Sequence, residues 1–268
     1  MYEVMINVRQ MRDDEATIGF GLAIARQQQA FATGLHVVAE HPTVATIPEA
    51  IELMEAEVAS ARQRDSWWME RCRKASVDGA WDVLRGMYVP LLAARARMAD
   101  VLVDSLPDGY PRVPVGMDEV TRTLFAGRTP MLLVPQACTQ AAAPQCVLVA
   151  WNGSGESMQA IRAALPLLRK ASQVHLLDGQ RERSHDFEPP HLPLRAWLSR
   201  QGVAIYERSR FCPGDSEVGQ RLLEEADAVQ AELLVMGAWG RSRLTELVLG
   251  GTTRHVLTHA RMPLLMAH

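Results

Sequence analysis

The sequence has few cysteines, little net charge and no long apolar run. Its four cysteines, Cys72, Cys138, Cys146 and Cys212, show no CxxC spacing, so we expect free thiols rather than a metal or redox site. The net charge of -3 gives no positive surface for nucleic acid or an anionic membrane. No apolar stretch approaches the roughly 20 residues of a membrane-spanning helix, and the N-terminus lacks the features of a signal peptide. We therefore expect a cytoplasmic protein without a nucleic-acid or membrane partner.

What is present is typical of a globular chain. Hydrophobic residues make up 48% of the 268 residues and charged residues 22%. This length is enough for one large domain or two modest ones.

Strand-like and helix-like segments alternate along the chain, and their order occurs twice. In the first copy, a strand over residues 2–8 precedes a helix over residues 15–31, which Gly34 is expected to end. Apolar residues three or four positions apart then predict one long helix over residues 49–73. The second copy is predicted to have strands at residues 146–151, 174–177, 203–207, 233–236 and 263–267, with helices between them.

Alternation of strands and helices predicts parallel sheets covered by helices on both faces. An Ala-rich stretch over residues 136–145 has the composition of a linker. The sequence therefore predicts two domains, residues 1–138 and residues 146–268.

A glycine-rich segment near the end of the chain has the spacing Gly-x2-Gly-x9-Gly. It contains two glycine pairs and two threonines: Gly237 and Gly240, Gly250 and Gly251, Thr252 and Thr253. We expect Gly237 to end a buried strand in a conformation that a side chain forbids. The second pair opens a helix, whose unpaired N–H groups and positive dipole end suit a phosphate.

This segment resembles the nucleotide-binding signature of the universal stress protein family. In that family a serine or threonine follows the last glycine, whereas here Gly251 follows Gly250, with Thr252 directly behind. The chain ending, residues 256–268, is also similar to the family's final helix and strand.

The resemblance extends to both copies. Asp100-Val-Leu-Val103 corresponds to Glu232-Leu-Leu-Val235, and Arg128-Thr-Pro-Met-Leu-Leu-Val134 corresponds to Arg261-Met-Pro-Leu-Leu-Met266. It implies an α/β fold of two tandem doubly wound units. Each unit is then a five-stranded parallel sheet flanked by helices, as in the Rossmann-like adenine-nucleotide α-hydrolase fold.

The resemblance also implies a position for the nucleotide. Ligands of doubly wound sheets lie at the carboxyl ends of strands where the winding direction reverses, here between the first and fourth strands of the second copy. The family has an aspartate after the first strand, whereas Asn152 here keeps a carbonyl acceptor and adds a donor. The expected site residues are Ala150, Trp151, Asn152, Met236, Gly237, Trp239, Gly240, Gly250, Gly251, Thr252 and Thr253.

The first copy departs from the signature at the corresponding positions. Met117 and Asp118 stand where the second copy has its second glycine pair, when both copies are counted back from the proline of the last strand. A methionine blocks close backbone approach, and a carboxylate repels phosphate. Asp104-Ser105 stands where the second copy has Met236-Gly237, and Arg9 follows the first strand. We expect a degenerate copy retained for packing or for a partner.

No catalytic constellation is evident. His255 and His259 lie four residues apart on one predicted helix, but no HExxH motif or neighbouring cysteine supports a metal site. We assign no catalytic residue and expect at most weak ATPase activity, because no general base is apparent.

The sequence is compatible with three functions. The first is a stress-response regulatory protein that binds ATP, or AMP or ADP, in its second domain, with Mg²⁺ on the phosphates and an unknown protein partner. The second is a nucleotide-free oligomeric scaffold or chaperone-like protein. The third, an ATP pyrophosphatase, ranks last, because Asn152-Gly-Ser-Gly-Glu-Ser157 only loosely matches the loop that such enzymes need.

The apolar last strand predicts an edge that pairs with another strand. Within one chain, the Met131 strand can pair with the Leu264 strand, so that the two domains form an intramolecular pseudo-dimer. A homodimer through another surface is also compatible with the sequence.

Overall fold

The computed structural model describes residues 2–9, 14–40, 43, 47–106, 118–140, 142–179, 192–210, 218–238 and 251–268. The chain divides into two compact units. The N-terminal unit contains Met1–Ser105 and Glu119–Ala143, and the C-terminal unit contains Leu106–Asp118 and Pro144–His268.

The N-terminal unit is a parallel α/β unit with the strand order β3-β2-β1-β4-β5. Strand β1 pairs in parallel with both β2 and β4, and β2 pairs in parallel with β3. The elements are β1 (Glu3–Asn7), α1 (Glu15–Gln28), β2 (Phe31–Ala39), α2 (Pro48–Arg62), α3 (Asp65–Ala75), β3 (Gly79–Gly86), α4 (Tyr88–Ala96), β4 (Val101–Leu106), α5 (Glu119–Gly127) and β5 (Met131–Pro135).

The predicted end of the first helix at Gly34 is wrong. Helix α1 ends at Gln28, and Gln29 closes it in the left-handed conformation with φ 53°. Gly34 instead lies inside β2, where an added Cβ would come within 2.7 Å of the Trp68 ring and 2.8 Å of the Trp81 ring. This glycine is therefore needed for packing.

The predicted single helix over residues 49–73 is also wrong, because the chain forms α2 and α3 there. Asp65 stands in the first turn of α3, where an acidic residue favours a new helix start. Trp68 is fully buried, and Trp81 packs beside it with ring centroids 5.8 Å apart. The Trp81 indole donates a hydrogen bond to the Ala61 carbonyl over 2.8 Å, so the tryptophans fix both helices to the sheet.

The C-terminal unit repeats this topology with the strand order β10-β9-β6-β7-β8. All four of its strand pairs are parallel. The elements are β6 (Cys146–Trp151), α6 (Gly155–Leu168), β7 (Gln173–Asp178), α7 (Leu194–Arg200), β8 (Glu207–Arg210), α8 (Val218–Ala228), β9 (Leu233–Gly237), α9 (Gly251–His259) and β10 (Leu264–Ala267). The prediction of two five-stranded doubly wound units is confirmed.

The third strand of this unit lies later than predicted. Residues 203–206 precede the strand, and β8 begins at Glu207, which is in register with His175 of β7. The apolar Val203 is buried, and its N–H donates a hydrogen bond to the Leu198 carbonyl just beyond the end of α7.

Among the described residues, the longest and most apolar helices fall short of what is needed to cross a membrane.

Candidate functional site

The carboxyl ends of β6 and β9 form the predicted crevice of the C-terminal unit. The two strands are neighbours, with Val149 in register with Val235. The next positions place Ala150 beside Met236 and Trp151 beside Gly237. The winding direction reverses between these strands, so this is the switch point at which doubly wound folds bind ligands.

Trp151 and Ala150 project to opposite faces of the sheet, because side chains alternate along a strand. Trp151 shares the face of Gly237, against which the start of α6 packs. The right-handed crossovers of parallel sheets place α8 and α9 on the other face, with Ala150 and Met236. Trp151 is only 3% exposed and belongs to the core. The structure thus brings Ala150 and Met236, but not the Trp151 ring, to the face that carries α9.

Gly237 has a different role from the predicted one. It ends β9 without a positive φ. An added Cβ would collide with the Ser157 nitrogen and lie 2.7 Å from the Glu156 carbonyl carbon. The glycine is therefore required because the backbone of α6 approaches it closely.

Asn152 shapes the loop between β6 and α6. Its side-chain oxygen accepts a hydrogen bond from the Ser154 N–H over 3.0 Å. Ser154 in turn caps α6, because its hydroxyl accepts from the Ser157 N–H over 3.1 Å. The side-chain oxygen of Asn152, a predicted site residue, is thus engaged in the turn before α6.

The start of α9 supplies the predicted phosphate position. Gly251 is the first helical residue and is exposed, and among the described residues no atom beyond its own helix lies within 4 Å of a Cβ added there. Thr252 is half-buried, whereas Thr253 is only 4% exposed and faces the interior. Three further predicted site residues, Trp239, Gly240 and Gly250, lie outside the described residues.

The N-terminal unit has polar residues at the equivalent positions. Ile6 is in register with Val103, so Asn7 and Asp104 stand where the other unit has Ala150 and Met236. Both polar side chains are buried. Helix α5, the equivalent of α9, begins with the acidic Glu119 rather than a glycine.

Two buried carboxylates of the C-terminal unit were not predicted. Glu156 of α6 is 6% exposed, and Asp178 at the end of β7 is 4% exposed. Asp178 also lines a cavity of about 460 Å³ with Leu176, Leu192, Pro193, Leu194, Arg195, Ala196 and Ser199. A polar residue directly after the apolar run of β7 was the sequence signal for Asp178.

His255 and His259 stack on α9, with ring centroids 4.2 Å apart. The His259 Nδ1 lies 2.9 Å from the His255 carbonyl oxygen. Within the described residues, no group of three or more His, Cys, Asp or Glu side chains is arranged to hold a metal ion.

The model of a family described as the universal stress protein family matches residues 214–268 of this chain. The matched segment contains the whole glycine- and threonine-rich signature. A search of curated proteins finds no match.

Solved structures extend the similarity to the whole chain. A universal stress protein from Archaeoglobus fulgidus DSM 4304 is 12% identical, with a TM-score of 0.71, and the match covers 99% of this chain and 97% of that chain. A putative universal stress protein from Pseudomonas aeruginosa UCBPP-PA14 is 15% identical, with a TM-score of 0.57, covering 99% of this chain and 92% of that chain. At such identities these likenesses establish the fold.

A universal stress protein solved in complex with cAMP matches a shorter part of the chain. It is 24% identical with a TM-score of 0.35, and the match covers 47% of this chain and 98% of that chain.

Proposed function

We propose that this chain, a two-domain protein with the universal stress protein fold and a C-terminal match to that family, is a regulatory protein of the stress response. Its C-terminal domain would bind ATP or a related adenine nucleotide. We assign the domains to residues 1–138 and 146–268, and the family resemblance favours a cytoplasmic location.

The observation that supports nucleotide binding is the contrast between the two strand-end crevices. Ala150 and Met236 carry no charge, and α9 beyond them begins with the exposed Gly251. The equivalent N-terminal positions hold the buried Asp104 and the acidic Glu119. Among the described residues, Ala150 and Met236 give the C-terminal crevice uncharged walls, and the positive dipole end of α9 suits an anionic ligand.

The expected role is binding rather than turnover. Thr252 or Thr253 would ligate, with water, a Mg²⁺ ion on the phosphates. No catalytic residue is assigned, so hydrolysis would be slow. Nucleotide occupancy would alter the surface around α9 and thereby the binding of a protein partner. Pairing of β5 with β10 within the chain, and a homodimer, belong to the same proposal.

Substitution of Gly251 tests the phosphate position. An aspartate at the first residue of a helix is compatible with the helix dipole, so Gly251→Asp should remain folded while repelling phosphate. Gly251→Asn has the same shape without the charge and is the matched control. Calorimetry with ATP and magnesium should show that the affinity of Gly251→Asp falls about tenfold or more, or ~1.4 kcal/mol, and that Gly251→Asn loses less.

The number of nucleotides bound per chain distinguishes between a single C-terminal site, two sites and a nucleotide-free scaffold. Denaturation of the purified protein, followed by chromatography of the released small molecules, should yield a single adenine nucleotide per chain. Two nucleotides per chain would show that the N-terminal unit also binds. If no nucleotide is released and calorimetry is silent, the nucleotide-free scaffold replaces this proposal.

A further inference from the structure

The strand-end crevice of the N-terminal unit is occupied by the unit's own side chains. The Asn7 amide donates hydrogen bonds to Asp104 Oδ1 over 2.8 Å and to the Tyr88 hydroxyl over 2.6 Å. Asn7 is 1% exposed and Asp104 is fully buried. These contacts connect β1, β4 and the start of α4.

The Arg9 guanidinium completes this cluster. Its Nη2 lies 3.3 Å from Asp104 Oδ2, and its Nη1 lies 2.5 Å from Glu119 Oε2. The guanidinium carbon stands 4.8 Å from the centre of the Tyr88 ring, a cation–π distance. One side chain thus joins β4, α4 and α5 at the carboxyl ends of the strands.

Arg9 neutralises the carboxylates of the cluster. It is the only cation among the described residues that pairs with Asp104 or Glu119. Burial by itself would lower the pKa of Arg9, but Asp104, Tyr88 and Glu119 hold that pKa above its ordinary value. Burial raises the pKa of Tyr88, so the phenol remains neutral and its ring faces a permanent cation.

Arg9 contacts the two carboxylates through the terminal nitrogens of its guanidinium group. Arg9 Nε and Asn7 Oδ1 are buried without a hydrogen-bond partner among the described residues. The contacts to both carboxylates are made by Nη1 and Nη2. A small guanidinium ion, which has the same terminal nitrogens, could make the same contacts.

We propose that the N-terminal unit contains a guanidinium-binding site and that Arg9 is its built-in ligand. The guanidinium neutralises Asp104 and Glu119 and ties α4 and α5 to the sheet, so this unit is held together without a small molecule. The two units then differ at this point: Arg9, Asn7 and Asp104 fill the N-terminal crevice, whereas the described residues at the equivalent C-terminal strand ends include the uncharged Ala150 and Met236. This inference is independent of nucleotide binding by the C-terminal unit.

Removal and replacement of the guanidinium tests the site in the full-length protein. Hydrogen exchange of peptides covering β4, α4 and α5 is measured for the wild type and for Arg9→Ala, with and without millimolar methylguanidinium. Methylammonium at the same concentration controls for charge and ionic strength. Arg85→Ala is the matched variant, because Arg85 also pairs with a carboxylate, Glu40, at 2.8 Å and has a similar side-chain exposure, 31% against 27%.

We expect Arg9→Ala to accelerate exchange in these peptides severalfold and methylguanidinium to restore most of the protection. Methylammonium should restore none, and Arg85→Ala should not respond to either compound. The proposal would be overturned if these peptides exchanged as slowly in Arg9→Ala as in the wild type. It would also be overturned if methylammonium restored as much protection as methylguanidinium.

Two further variants apply if Arg9→Ala does not fold. Arg9→Lys keeps the charge but not the paired nitrogens, so it should lose protection in part. The double variant Arg9→Ala, Asp104→Asn removes the buried carboxylate as well and should recover folding. Full protection in Arg9→Lys, or a double variant that remains unfolded, would also contradict a guanidinium site.

Discussion

The Cα of Gly237 lies so close to the backbone of Ser157 that a Cβ on residue 237 would collide with the Ser157 nitrogen. This contact joins the last residue of β9 to the first turn of α6. It couples the strand that leads into the glycine-rich segment to the loop that follows β6. A side chain at position 237 must therefore displace the start of α6.

Gly237→Ala should destabilise the C-terminal unit. The added methyl group must displace helix backbone, which cannot move as a flexible side chain does, and we expect a loss of about 1–3 kcal/mol. Urea unfolding measures the loss. Gly251→Ala is the matched control, because no atom of the described residues beyond its own helix lies within 4 Å of its added Cβ, and it should unfold at or slightly above the wild-type urea concentration. Equal stability of the two variants would contradict the close contact.

Gly34→Ala should destabilise the N-terminal unit. The new methyl group would lie 2.7 Å from the Trp68 ring and 2.8 Å from the Trp81 ring, and two packed indoles leave little room for adjustment. We expect a cost of about 1–3 kcal/mol, measured by denaturant unfolding. In Gly19→Ala the methyl group meets no atom within 4 Å, so helix propensity should instead stabilise α1 by roughly 0.5–1 kcal/mol. A Gly34→Ala variant as stable as the wild type would show that the indoles repack.

The cysteines should react with a thiol reagent in a fixed order. Burial raises the pKa of Cys72 to about 11, and its side chain is 1% exposed. Burial and Glu232 also raise the pKa of Cys146. Because the thiolate is the reactive form, iodoacetamide at pH 8 should modify Cys72 last. Mass spectrometry of peptides over time measures the order, and modification of Cys72 before Cys138, without unfolding, would contradict it.

The His255 and His259 pair should make the protein less stable in mild acid. Burial and the neighbouring His259 lower the pKa of His255, so the unfolded chain binds the proton more readily than the folded chain. Stability is then fully present above pH 6.5 and falls as the pH decreases through 6.5 toward the lower folded pKa. His255→Gln should show a smaller fall in melting temperature between pH 7.5 and 5.5. An unchanged fall would assign the acid sensitivity to other groups.

The repeated order of strands and helices could be predicted from the sequence, as could the position of the glycine- and threonine-rich segment. These features depend on residues close together in the chain: apolar runs predict buried strands, and glycines mark the points where helices and strands begin or end. The family match to residues 214–268 falls on that local pattern.

The contacts between residues that are distant in the chain are evident only from the tertiary structure. That structure divided residues 49–73 into two helices, placed Gly34 under two tryptophans and directed Trp151 into the core rather than toward α9. It also brought Arg9 to Asp104 and Glu119, residues 95 and 110 positions away. Local periodicity cannot predict these contacts, because sheet register and helix packing determine which distant side chains share one buried space.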